Sequence, residues 1–472
     1  MVSTGEVRGV AVVMVPFPAQ GHLNQLLHLS RLLAARGMAV HFTGSPTHNR
    51  QAQVRLSGWD VGAFPNIRFH DLPVPPFSSP RPDPHAAVTF PSHLQPAFDA
   101  CLRLQGPLAA LLRSLSATSL RVVVVHDSLM SFAAQEAVAI PNGEAYVFHS
   151  VSAFANLLFQ WAARGDDGRL RSVLPNCRRV PPVDGCFTEE FTGFIRRQYE
   201  KTPPPAGRLF NTCRSVEGKF VDLLAREPVF KDAKFFTVGP VNPVSALRQV
   251  RTDAVVSPAR HECMEWLDRQ PPVSVVYVSF GTTSSLPEQQ ITELAHGLER
   301  SRLRFIWVLR EADRADIFAG DDDGRQKLPD GYEQRVAGVG LVVRGWAPQL
   351  DILGHRATAL FMSHCGWNSC MEGLSNGVPI ATWPLHSDQP KNALLVTEVL
   401  QVGVTVRDWE RRSATVTSDT VAEAIRRAID SREGMLIRRR AKALGETIRR
   451  AVSEGGSSYE ELGSFIAHVN RP

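Results

Sequence analysis

Two series of short, β-branched runs alternate with helical patterns along this 472-residue chain, and that alternation restricts the fold most. Val122-Val123-Val124-Val125 is an unbroken apolar run, and Val10–Val15 is another that stops at Pro16 and Pro18. A strand apolar on both sides must be buried on both, the condition of a parallel sheet sandwiched between helices. The spacing predicts a helix over His22–Arg36, closed by Gly37, with Leu23, Leu26, Leu27, Leu29, Leu32 and Leu33 on its apolar side. A strand at Ala39–Thr43, helices around Ala97–Leu115 and a strand at Arg121–Val125 follow. The alternation then restarts with strand Val273–Phe280, helix Glu288–Glu299, strands Phe305–Leu309 and Leu341–Val343, helix Gln349–Leu353 and strand Ala359–Met362. A helix from about Asn368 and a strand at Pro379–Thr382 close the second series. Repeated βα units predict an α/β chain with two Rossmann-like, doubly wound domains facing one another.

The length supports two cores of roughly 200 residues each. Weak patterning and three prolines between Gly239 and Pro258 predict domains at residues 1–240 and 259–455 with a linker at 241–258. A last helix, Tyr459–Val469, follows Gly455-Gly456-Ser457-Ser458, which reads as flexible. Pro-rich stretches at Phe64–Pro96 and Pro203-Pro204-Pro205 read as loops, of the kind that often bind ligands.

Charge and cysteine content argue against several classes. Net charge is +5, from 52 Lys+Arg and 47 Asp+Glu, with the basic residues scattered. The densest run, Arg438 to Lys442 with Arg449 and Arg450, has helical spacing and reads as a solvated helix face, so no nucleic-acid partner is expected. Seven cysteines without Cys-x-x-Cys spacing predict reduced, mostly buried thiols and no metal site. No run approaches the about 20 apolar residues of a membrane span, and no signal-like segment opens the chain. The expectation is a cytoplasmic protein without an integral membrane segment.

The stretch Trp346–Gln389 carries the densest chemistry. It gathers His364, Gly366, Asn368, Ser369 and Glu372 around a strand-to-helix turn and ends on Asp388-Gln389. Free backbone N–H groups and the positive end of the helix dipole suit a phosphate there. Thr282, in Ser279-Phe280-Gly281-Thr282, is a candidate for a second phosphate contact, or else a cap for the helix at Glu288. His22 falls just beyond the first strand, at the carboxyl edge where doubly wound sheets bind ligands. The helix start predicts a neutral imidazole, fit for a general base. Asp127 ends the Val strand and could fix that imidazole's tautomer or, alternatively, cap the following segment. His28 and His126 read as structural.

Three patterns mislead. Gly373-Leu374-Ser375-Asn376-Gly377 matches a nucleophile elbow, but the elbow needs strand, then serine, then helix, and here a helix precedes it. Gly377 reads as a helix-ending glycine. Asp321-Asp322-Asp323 lies in a polar loop and reads as solvated. The turn Pro16–Gly21 lacks Gly-x-Gly-x-x-Gly, which argues against a Rossmann oxidoreductase.

With these residues in view, the chain resembles the plant UDP-dependent glycosyltransferases, whose signature box matches Trp346–Gln389, with Pro16–Gln25, Asp127 and Ser279–Thr282 matching in order. The resemblance implies a GT-B fold, a monomer, an acceptor in the N-terminal half, a UDP-sugar in the C-terminal half, and a final helix (459–472) packing back on the first domain. It implies that Trp346 stacks on uracil, with Ala347 and Gln349 contacting base and ribose and Glu372 holding the ribose hydroxyls. His364, Asn368, Ser369 and Thr282 would hold the diphosphate; Trp367, Asp388 and Gln389 would hold the sugar. Gln389 in that place usually goes with glucose, so UDP-glucose is the implied donor and UDP-xylose the alternative. No metal or other cofactor is implied.

Gly21-His22-Leu23-Asn24-Gln25, His386-Ser387-Asp388-Gln389-Pro390 and Val125-His126-Asp127-Ser128-Leu129 are similar to the zeatin O-glucosyltransferase branch. The expected reaction is therefore inverting O-glucosylation of a cytokinin, cis-zeatin favoured, with another small phenolic or terpenoid acceptor as the alternative. A non-catalytic sugar-nucleotide or hormone-binding protein would not need the His22/Asp127 pair.

Overall fold

The computed structural model describes residues 9–86, 89–166, 169–174, 180–200, 202–230, 233–244, 261–319 and 326–472. The predicted linker from residue 245 onward, Asp321-Asp322-Asp323 and Cys177 lie outside them. The first series builds a seven-stranded sheet: β1 (Val10–Val15), β2 (Ala39–Gly44), β3 (Ile67–Asp71), β4 (Arg121–Asp127), β5 (Gly143–His149), β6 (Gly207–Phe210) and β7 (Phe235–Thr237), in the order β3-β2-β1-β4-β5-β6-β7. The second builds a six-stranded sheet: β8 (Val275–Ser279), β9 (Arg304–Val308), β10 (Gly340–Val343), β11 (Thr358–Ser363), β12 (Ile380–Thr382) and β13 (Gly403–Thr405), in the order β10-β9-β8-β11-β12-β13. Every pairing is parallel. The Val-rich strands β1 and β4 sit at the centre of their sheet with every valine buried, the burial their composition demands.

Several local expectations are corrected. The Phe64–Pro96 stretch is not all loop, because β3 pairs with β2 at the sheet edge. An edge strand tolerates polar residues on its open side, so Arg68 and His70 hid it from a search for apolar runs. The first helix starts at Gln20 rather than His22, whereas the helices expected around Ala97–Leu115 are present, as two joined by a 3₁₀ turn at Leu102–Leu104. Ala153–Ala162 and Glu189–Tyr199 are further helices beside the cleft. Gly455-Gly456-Ser457-Ser458 is not a flexible hinge: Ser457 starts the last helix, and the buried Ser458 hydroxyl donates to the Gly239 carbonyl at 2.6 Å.

That last helix, Ser457–Val469, packs on the first sheet. Leu462, Phe465 and Val469 join its core, with Phe465 edge-on to Tyr146 and Phe236 at 5.3 Å each. Arg121 of β4 donates to the carbonyls of Val469 and Arg471 at 2.7 and 2.9 Å. A separate cluster joins the halves, with Phe154, Phe210 and Phe220 of the first against Trp367, Leu374 and Ile448 of the second. The carboxyl ends of both sheets thus face one cleft of about 790 Å³.

Candidate active site

His22 is the third residue of the helix Gln20–Ala34, directly above the end of β1. Its Nδ1 lies 2.8 Å from Oδ2 of Asp127, so Nδ1 carries the proton and donates to the carboxylate. Asp127 is fully buried at the end of β4, where an isolated carboxylate is costly. It is satisfied three ways: His22, the Ser150 hydroxyl at 2.6 Å and the Leu129 amide at 3.0 Å. The two readings of Asp127, cap and imidazole partner, are both realised. Burial pulls the Asp127 pKa up, but His22 and these donors bring it below the usual carboxylate value.

The helix start alone would lower the His22 pKa, and the same contact outweighs it. Burial lowers the imidazole pKa, yet the charge and hydrogen bond of Asp127, with a lesser contribution from Asp388, outweigh it and hold the pKa above its ordinary value. A full charge in hydrogen-bond contact exceeds the half-charge of a helix end. His28 accepts from the Trp59 indole at 3.0 Å, and His126 is fully buried with its Nδ1 donating to the Asp127 carbonyl at 2.8 Å. Both are neutral, burial pushing them down to about 3 and about 4.

Across the cleft, the turn from β11 into the helix Trp367–Asn376 gathers the signature residues. Glu372 faces back along the helix and accepts from Gln349 Nε2 at 2.5 Å and Asn368 Nδ2 at 2.8 Å. Gln349 also donates to Ser369 Oγ at 3.2 Å and accepts from the Tyr277 hydroxyl at 3.1 Å. Burial raises the Glu372 carboxyl to about 7, these donors opposing it. His364 is pressed between two glycines. A Cβ on Gly281 would come within 2.7 Å of its Nε2, and one on Gly366 within 2.5 Å, so neither position admits a larger residue without moving the ring. Burial alone lowers the His364 pKa to about 4, and its Nδ1 has no partner among the described residues.

Trp346 stands at the rim, 38% exposed, with the guanidinium groups of Arg55 and Arg310 4.9 and 5.8 Å from its ring. Ala347 beside it is buried. Thr282 follows Gly281, which has φ 78°, and its carbonyl accepts from the Asp313 amide at 2.6 Å. Asp388 is buried and accepts from Asn392 at 2.7 Å. All thirteen residues singled out in the sequence line the same cleft except Asp127, which sits behind His22.

Two of them present less polar surface than expected. The Trp367 indole is buried and donates to the Asn211 carbonyl at 2.8 Å, and Gln389 Oε1 accepts from the amides of Leu385 and His386 at 2.8 and 3.0 Å. Sequence reasoning also missed the bridge across the cleft, where Arg55 of the first half pairs with Asp313 of the second, Nη2 to Oδ1 at 2.8 Å. No local signal marks a pair 258 positions apart.

Comparison with known proteins agrees with this geometry. The model of the "Glycosyltransferase, N-terminal domain" family matches residues 8–243, and that of the "UDP-glucoronosyl and UDP-glucosyl transferase" family matches residues 252–435. Among curated relatives, a zeatin O-glucosyltransferase of Phaseolus lunatus is 49% identical, over 98% of this chain and 97% of its own length. A cis-zeatin O-glucosyltransferase of Zea mays is 48% identical over 98% of both chains, and a zeatin O-xylosyltransferase of Phaseolus vulgaris 47% identical over the same shares. The crystal structure of Os79 from O. sativa in complex with UDP superposes with a TM-score of 0.75 at 27% identity, covering 97% of this chain and all of the other. The chain therefore belongs to the UDP-glucosyl transferase family, as a glycosyltransferase of GT-B fold that moves sugar from a UDP donor to a small acceptor.

Proposed function

We propose that this enzyme is an inverting O-glucosyltransferase that moves glucose from UDP-glucose to the side-chain hydroxyl of a zeatin-type cytokinin, cis-zeatin first among them. One observation carries the mechanism: the 2.8 Å contact of His22 with Asp127, in the same cleft as the Gln349–Ser369–Glu372 cluster. With Nδ1 held by Asp127, His22 Nε2 takes the acceptor hydroxyl proton, and Asp127 stabilises the imidazolium that forms. The acceptor oxygen bonds to the anomeric carbon as the bond to the UDP oxygen breaks, and UDP departs with the electron pair. Attack opposite the leaving group inverts the α-linked donor to a β-glucoside.

In this reading Trp346 stacks on uracil, with Ala347 and Gln349 on base and ribose, and Glu372 accepts from the ribose hydroxyls. His364, Asn368, Ser369 and Thr282 hold the diphosphate, and the start of the Trp367–Asn376 helix stabilises its charge as it leaves, without a metal ion. Trp367, Asp388 and Gln389 surround the sugar. The domain division 1–240 and 259–455, a monomeric state and a cytoplasmic place complete the proposal; no helix among the described residues is long and apolar enough to cross a membrane.

UDP-xylose is a second reading. Gln389, the residue associated with glucose, has its carbonyl oxygen held by the Leu385 and His386 amides, and one relative is named for xylosyl transfer. The test is incubation of each donor with cis- and trans-zeatin in excess chelator, following UDP release and the product's anomeric configuration by NMR. A β-glucoside with full rate in chelator is expected. An α-product would overturn inversion, loss restored by manganese would overturn the metal-free scheme, and turnover with UDP-xylose alone would replace glucose.

A further inference from the structure

The face of the first sheet opposite Asp127 holds a second cavity. Residues alternate in direction along β4, so with Asp127 turned to His22, His126 points the other way. In register, His126 lies opposite Val147 of β5 and Val147 opposite Arg208 of β6, which sets the three in one row. This row floors a cavity of about 440 Å³ walled by Ser128, Tyr199, Val229 and the Pro203–Pro205 run. Ser128 and Tyr199 also line the main cleft, so the two spaces share one wall.

The groups on that floor are incompletely satisfied. Arg208 lies against the Phe230 ring at 4.5 Å and its Nη1 donates to His149 Nε2 at 3.3 Å, while its Nε has no acceptor among the described residues. No carboxylate among them pairs with it, and burial lowers its pKa. A half-buried cation with no carboxylate beside it among the described residues is stabilised when an anion joins it. His126 is neutral, with Nδ1–H committed to the Asp127 carbonyl, so its unpartnered Nε2 is a bare acceptor. The cavity therefore offers a cation, the Ser128–Tyr199 hydroxyl pair at its wall, and the His126 Nε2 acceptor. A carboxylate supplies only acceptors. A singly protonated phosphate group supplies both an O⁻ for Arg208 and an O–H for His126.

We propose that this cavity binds a phosphate group, with Arg208 as its cation and His126 Nε2 accepting from its P–OH. The source is either free phosphate or a phosphorylated small molecule that reaches across the shared wall from the acceptor side. Titration of inorganic phosphate into the enzyme saturated with UDP, followed by ³¹P NMR line broadening, tests it. Saturating UDP occupies the diphosphate site, so broadening reports the second cavity.

Saturable binding is expected, weakened roughly ten- to hundred-fold in Arg208→Met. Val229→Glu changes an exposed lining residue, places a carboxylate in the cavity beside Arg208, and should weaken phosphate binding likewise. Unchanged UDP affinity certifies that each variant is folded, and Val229→Glu decides the matter if Arg208→Met is not. Absence of saturation in the parent enzyme, or equal phosphate affinity in a folded variant, overturns the proposal. A kinetic arm, which rests on the transfer reaction proposed above, separates the sources. Unchanged acceptor KM in phosphate indicates the free anion, and raised KM at constant kcat indicates a phosphorylated acceptor.

Discussion

Two histidines stand at comparable places in the two halves, and their pKa values are shifted in opposite directions. His22 follows β1 and His364 follows β11, each an interior strand of its sheet, with His22 in the first turn of the next helix and His364 just ahead of one. Burial and a helix N-terminus act on both, and for His364 nothing opposes burial, so its pKa falls to about 4. For His22 the Asp127 carboxylate reverses the sign. A helix end keeps an imidazole neutral only where no carboxylate reaches it. The difference matches the division of labour we propose, with His364 a fixed neutral neighbour for a phosphate and His22 a base whose cation is stabilised in advance.

The comparison can be broken at three points. His22→Ala removes the imidazole held by the Asp127 carboxylate, and turnover should fall about 10³-fold with UDP affinity unchanged, read by calorimetry beside the transfer assay. Retained turnover would leave no role for the pair. Asp127→Asn should make His22 resemble His364, with kcat lowered about 10²-fold. The sign follows from protonation: a base works deprotonated, so kcat/KM for the acceptor falls as pH drops through the raised His22 pKa. Removing the Asp127 charge leaves burial opposed only by the lesser Asp388 contribution, and the acid limb must move to lower pH. A limb that stays in place would assign it to another group.

The smallest effect lies on the donor side. Glu372→Gln should weaken UDP about ten-fold while leaving acceptor KM unchanged. In the parent enzyme UDP should also bind more weakly as pH falls through about 7, where Glu372 takes up its proton and loses acceptor capacity. With the carboxyl replaced by an amide in Glu372→Gln, the same titration should give a flat profile over that range.

The donor half was far more legible than the acceptor half. Glu372, Asn368, Ser369 and His364 span nine residues of one strand-to-helix turn, so local geometry alone brings them together. Gln349 joins them because β11 is the only strand between its helix and theirs. On the acceptor side the decisive contacts are distant in sequence: His22 to Asp127 spans 105 positions, and Arg55 to Asp313 spans 258. Their residue types could be flagged, but the sign of the His22 shift depended on a distance no spacing encodes. β3 was missed because its exposed side is polar, and Gln389's inward turn because the donors that hold its Oε1 are backbone amides.

The return of Ser457–Val469 to the first sheet has a consequence for synthesis. Leu462, Phe465 and Val469 fill a core whose other members end at Val241, so this core stays open while some 200 later residues are translated. The first half cannot finish folding on the ribosome ahead of the second. A message interrupted anywhere before residue 457 would leave Tyr146 and Phe236 without their aromatic partner, and the apolar face so bared would mark the fragment for disposal.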